Sequence, residues 1–186
     1  MVRQTAILAG VASVALAAGL ASPASADVDR FHDKKNDAKG QVDIRGVRVD
    51  NTGRWIDIRT HHRNLTYGPH APGLGASLYI DTIRKRRGPE FIIAGPVGSD
   101  GDYHLSKMFG WRKFGKSLRC KLTFRVNYKR DVIRFATKRG CLAKAFRHPV
   151  GRIRVSSRIA QEKKGSSNVV DWAPRRHRYF DWVKRS

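Results

Sequence analysis

The side chains best placed to do chemistry are an excess of cations, a scatter of histidines and a few carboxylates. Lys and Arg number 38 against 15 Asp and Glu, a formal charge of +23. Such an excess biases long-range encounters towards polyanions and anionic surfaces, and says nothing about fold. Seven histidines are present, His61, His62, His70, His104, His148 and His177 among them. Neighbours on a strand point to opposite faces, so His61 and His62 cannot easily share one ion. None of the histidines has a zinc spacing, and no metal or cofactor site is expected. The chain has no Gly-x-Ser-x-Gly elbow to present a nucleophilic serine. Ser99-Asp100-Gly101-Asp102, with Asp81 and Glu90 as helpers, offers carboxylates to calcium. A full calcium loop needs more oxygens at set intervals, so an acidic turn is the expectation. Asn64-Leu65-Thr66 is a glycosylation sequon.

The elements that must position these groups begin after an export signal. Met1 to Gln4 is a short positive start and Thr5 to Ala21 an apolar run, and Ala24-Ser25-Ala26 supplies small residues for cleavage. Residues 1–26 therefore read as a secretory signal peptide. No later segment is apolar enough to span a membrane. Export makes a bridge between the two cysteines, Cys120 and Cys141, the natural expectation.

Residues 27–40 are charged and weakly apolar and read as a flexible lead-in to a single domain over 41–186. From Gln41 onward the pattern is period two, with no helical stretch of three turns. Val42 and Ile44, then Val47 and Val49, change facing parity at Arg45-Gly46, which asks for a bulge. Further strands are expected near 55–60, 76–82, 90–94, 103–109, 119–128, 132–138 and 151–160. In the 119–142 hairpin, a two-residue turn at Arg130-Asp131 would set Phe124 opposite Thr137 and Cys120 opposite Cys141. The bridge would then join a non-hydrogen-bonded pair, and inward-facing Arg139 implies fraying or a bulge just before it. Many short strands with turn signals predict an all-β fold, a two-sheet antiparallel sandwich of about eight or nine strands.

That register puts Arg119, Lys121, Arg125 and Lys129 of one strand, and Arg134 and Lys138 of the next, on the outer face. Arg152, Arg154 and Arg158 repeat the scheme beside inward Ile153, Val155, Ser157 and Ile159. Gathered in one sheet, nine cations would form a face that repels itself without counterions or a partner. The plain reading is a solvated surface that aids solubility. The functional reading is a non-catalytic site for an anionic cell-envelope or extracellular polymer: teichoic acid, acidic polysaccharide or nucleic acid. No sequence-reading nucleic-acid motif is present. Two alternatives stand beside it. One is a hydrolase acting on an acidic glycan. The other is a neutral-carbohydrate module stacking sugars on exposed Trp55 or Trp111. Asp171-Trp172-Ala-Pro and Asp181-Trp182-Val suggest a tail pinned across the domain by two indoles.

Several segments read together: Asp43 to Asp50, Leu78 to Thr82, Gly88-Pro89-Glu90-Phe91, Cys120 with Cys141-Leu142, and the Trp172 to Val183 tail. They resemble a family of small secreted proteins of high-GC Gram-positive bacteria, over most of 41–183. That resemblance implies a β-sandwich and an extracellular or cell-wall location, and supplies no activity. The stretch Tyr79-Ile80-Asp81-Thr82 to Gly88-Pro89-Glu90-Phe91 is also weakly similar to family 9 carbohydrate-binding and DOMON-like sandwiches. Ile83-Arg84-Lys85-Arg86-Arg87 departs from the acidic or polar segment those proteins carry after the Asp.

Overall fold

A computed structural model describes residues 28–39, 42–68, 73–98, 101–162 and 167–186. The signal peptide assigned to 1–26, along with His70, Ser99 and Asp100, lies outside the described residues. The chain folds as two antiparallel sheets packed face to face. The first sheet contains β1 (Val28–His32), β2 (Ile44–Asp50), β3 (Trp55–His62), β8 (Leu122–Asn127) and β9 (Val132–Lys138), in the order β1-β2-β3-β9-β8. The second contains β4 (Leu74–Asp81), β5 (Phe91–Pro96), β6 (His104–Met108) and β7 (Phe114–Ser117). It is completed by β10 (Arg152–Gln161) and β11 (Val169–Ala173), giving β11-β10-β4-β5-β6-β7, with β12 (Val183–Lys184) alongside β10.

Alternation builds the core. Ile56, Ile58, Ile133 and Phe135 of the first sheet are fully buried, as are Leu78, Ile80, Ile93, Val155 and Ile159 of the second. The parity change in β2 is a true register shift between Ile44 and Gly46. Glycine is required there: a Cβ on Gly46 would come within 2.9 Å of the Phe31 carbonyl oxygen.

The twelve strands among the described residues exceed the eight or nine expected. The lead-in is one of the additions. Val28–His32 pairs with β2 over its whole length, and Phe31 stacks on Phe180 at 4.7 Å. Its adjacent charged residues, Asp29 and Arg30, are exposed, which suits an edge strand.

The hairpin differs from expectation in register. Arg125 faces Arg134 and Phe124 faces Phe135, because the loop spans Tyr128 to Asp131 rather than two residues. Asp131 takes a left-handed conformation, φ 52°, and its carboxylate accepts the Leu65 amide at 2.7 Å. The displacement is even, so every side chain keeps its predicted face.

One short helix joins the expected strands. After Lys138 the chain turns into α1 (Arg139–Phe146), and Cys141 sits in it. Cys120 and Cys141 are bridged, with Cα atoms 5.9 Å apart, but the bond ties the lead-in of β8 to this helix instead of crossing a ladder. Arg139 does not fray. Its buried guanidinium donates to Asn51 Oδ1, the Asn51, Gly53 and Val150 carbonyls, all within 3.0 Å.

Candidate polyanion-binding face

Outward positions of the first sheet fall into rungs across its strands. One rung is made entirely of arginine. Arg30 of β1 pairs with Arg48 of β2, Arg48 with Arg59 of β3, Arg59 with Arg134 of β9, and Arg134 with Arg125 of β8. At ordinary strand spacing this row runs about 19 Å. The rung beneath carries His32, Gly46, His61, Val132 and Asn127.

Two acids, Asp50 and Asp57, lie opposite each other on the neighbouring rung, and Asp57 reaches into the field. Asp57, on the rung above, accepts from Arg134 Nε at 2.7 Å and from Arg59 Nε at 3.3 Å. Arg134 is also ion-paired to Asp57 through its terminal nitrogen. These contacts aim two guanidinium groups and leave Arg30, Arg48 and Arg125 outside the ion pairs found among the described residues. The field shows itself at His61. Burial first, then Arg59, Arg48 and Arg30, hold its imidazole below the usual histidine range, so it stays neutral more readily than a free imidazole.

Over this rung lies a concave basin of about 720 Å³, bounded by Arg48, Arg59, Arg125 and Arg134, with the Tyr128-Lys129-Arg130 turn as its wall. The arrangement offers clustered positive donors over an open surface, two of them held in place by Asp57. Guanidinium forks suit bidentate contacts with phosphate, sulfate or carboxylate.

The structure divides the nine predicted cations. Arg125, Arg134 and Lys129 meet at the basin, and Lys138 lies on the same face, its ammonium 6.0 Å from the Trp55 ring. Arg119 and Lys121 sit in the irregular segment before β8, exposed and outside the ladder. Arg152, Arg154 and Arg158 belong to the other sheet, so the nine do not form one wall. Arg154 is neutralised by Asp81, at 2.7 and 2.9 Å, and covered by the Tyr179 and Trp182 rings at 4.5 and 4.6 Å. Arg158 lies beside Trp172.

Sequence reasoning missed Arg30, Arg48, Arg59 and His61. The signal was present: Arg48 and Arg59 have the outward parity of their own strands, but local pattern cannot say which strands become neighbours.

The other predicted groups are engaged elsewhere. Trp55 is half-buried. Trp111 packs against Tyr79 and Trp172 with His177 and Tyr179 stacked on it, in an aromatic layer that covers the outer face of the second sheet. Asp81 and Glu90 are buried side by side. Glu90 accepts the Thr82 and Ile83 amides at 2.7 and 3.2 Å, and burial pushes its carboxyl up to about 7. Arg154 and these amides engage the two carboxylates, while Asp102 is exposed. Compared with known proteins, the chain matches no family model and no curated sequence.

Proposed function

We propose that this protein is a non-catalytic binding module for an anionic cell-envelope or extracellular polymer, engaged by the outer face of the first sheet. The supporting observation is the rung of five arginines, each directly opposite the next, four of which line the floor of an open basin. Like charges placed opposite one another destabilise a sheet, so a row of five is a cost that an anionic partner offsets. Such a face recognises spaced negative charge rather than sequence. The single helix among the described residues spans eight residues, starts at the disulfide-bearing turn and does not reach the basin. The bridged cysteines fit an oxidising compartment outside the cytoplasm. Among the described residues no helix is long and apolar enough to cross a membrane.

The test is retention on immobilised heparin and on purified cell wall, measured against salt. Two triple variants carry the same change in net charge: Arg30, Arg48 and Arg125 to Glu on the ladder, and Lys116, Arg119 and Arg152 to Glu elsewhere. Retention should fall steeply with salt, disappear in the ladder triple at about 0.15 M, and persist in the control triple. Equal loss in both triples, or retention indifferent to salt, refutes the reading.

A further inference from the structure

Two loops leave the second sheet at the same end and meet there. Between β4 and β5 runs Ile83-Arg84-Lys85-Arg86-Arg87-Gly88-Pro89, and between β6 and β7 the turn from Phe109 to Lys113. Gly88 packs so closely on Gly110 that a Cβ on it would lie 2.6 Å from the Gly110 Cα. Residues 83–89 and 109–119 contain no Asp or Glu. They carry Arg84 to Arg87 in a row, then Arg112, Lys113, Lys116 and Arg119. All of these cations are exposed, and none enters the ion pairs found among the described residues.

Amid them stand two phenylalanines that the fold leaves open. Phe114 is 62% exposed and Phe109 48%, at the two ends of the same turn. Phe109 is held in place. Its amide donates to the Lys113 carbonyl at 2.8 Å, and Phe146 of α1 meets its ring edge-on at 6.0 Å. The ring lies across Gly115, where a Cβ would come within 2.9 Å of it. Arg86 and Lys107 sit over the Phe146 ring at 5.0 and 5.2 Å, which joins cations and rings into one patch.

Aromatic side chains exposed among lysines and arginines match the boundary of a bilayer, where rings meet acyl chains and cations meet headgroups. We infer that this end of the sandwich docks on an anionic phospholipid surface, with Phe109 and Phe114 entering the acyl boundary and the basic loops on the phosphates. Charge complementarity selects this occupant. Anionic headgroups attract such basic segments, whereas a second copy of the chain would set the same cations against themselves. A dissolved polyanion would match the charge but leave both phenyl rings in water. The patch is separate from the arginine basin. The Tyr128 hydroxyl, at the basin wall, donates to the Val97 carbonyl just past the other end of β5, so polymer and bilayer can be held together.

Cosedimentation of the full chain with vesicles tests this, using about 30% phosphatidylglycerol in phosphatidylcholine at about 0.1 M salt, against phosphatidylcholine alone. Phe114→Ala should weaken binding to the anionic vesicles about fivefold, and adding Phe109→Ala about twentyfold in all. Neither should change heparin retention. Phe114→Trp should bind as the wild type does, its added emission shifted to the blue and quenched by brominated acyl chains. Reversing Arg84, Lys85 and Arg112 to Glu should cost at least tenfold more vesicle affinity than the ladder triple, so the membrane and polymer readings fail separately. No binding to anionic vesicles, equal binding to neutral ones, Phe114→Ala binding as the wild type does, absence of quenching, or equal loss in the two triples would each overturn the membrane site.

Discussion

His62 shows how one residue's surroundings set its chemistry. It is 4% exposed, its Nε2 shares a 2.7 Å hydrogen bond with Thr60 Oγ1, and its Nδ1 has no partner. Burial, with a small push from His61, drives its pKa from 6.5 down to about 3. The folded state therefore favours the neutral ring. That contribution is complete above the unfolded value of 6.5 and is lost as pH falls towards 3. By pH 5 the loss is about 2 kcal/mol. Urea unfolding of wild type and His62→Gln at pH 7.5 and 5 should show the wild type losing about that much more than the variant. Parallel pH dependence in the two proteins would mean that the ring titrates as in water. Arg139 marks a limit of reading at this scale. Its inward parity was visible in the sequence, but its acceptors come from residues 51, 53 and 150, and nothing local places them around it.

At the scale of elements, period two was a reliable guide to which face a residue takes. The hairpin register was wrong by two residues, yet an even slip leaves Phe124 and Phe135 inside and Arg125 and Arg134 outside. The short pieces were less legible. Strands β7, β11 and β12 are two to five residues long, too short to show alternation. Helix α1 carries one turn's worth of apolar residues after an extended strand, and its buried Leu142 reads equally as the end of that strand. The candidate site suffered most, because a face depends on strand order: β1, β2 and β3 meet β9 and β8 only through pairings remote in sequence. The bridge tests how α1 is held. Cys120 and Cys141 close a loop of 21 residues around the β8–β9 hairpin. Replacing both with Ser should lower stability by about 3 kcal/mol in urea at neutral pH. A loss below about 1 kcal/mol would show that packing of Leu142 alone anchors the helix.

The whole molecule treats its two outer faces differently. The second sheet is roofed by aromatic rings and the C-terminal tail, which cover Arg154 where it pairs with Asp81. The first is left open, with its cations facing one another across the strands. A chain of +23 gains little for solubility by aligning five of its arginines, and that alignment works against the fold. Arg48 is the informative position, since it lies between Arg30 and Arg59 and has no carboxylate partner among the ion pairs described. Arg48→Thr removes two unfavourable pairs and places a good strand former in their stead. At 10 mM salt it should stabilise the protein by about 1 kcal/mol, or raise Tm by about 3 °C. The gain should shrink to nothing near 0.5 M salt, where the screening length is shorter than the distance between neighbouring guanidinium groups. The same substitution should weaken retention on heparin. A more stable protein that binds less well would show stability held back in favour of the site. A destabilised variant, or a gain insensitive to salt, would mean that the ladder is neutralised by contacts within the fold and is not held open for a partner.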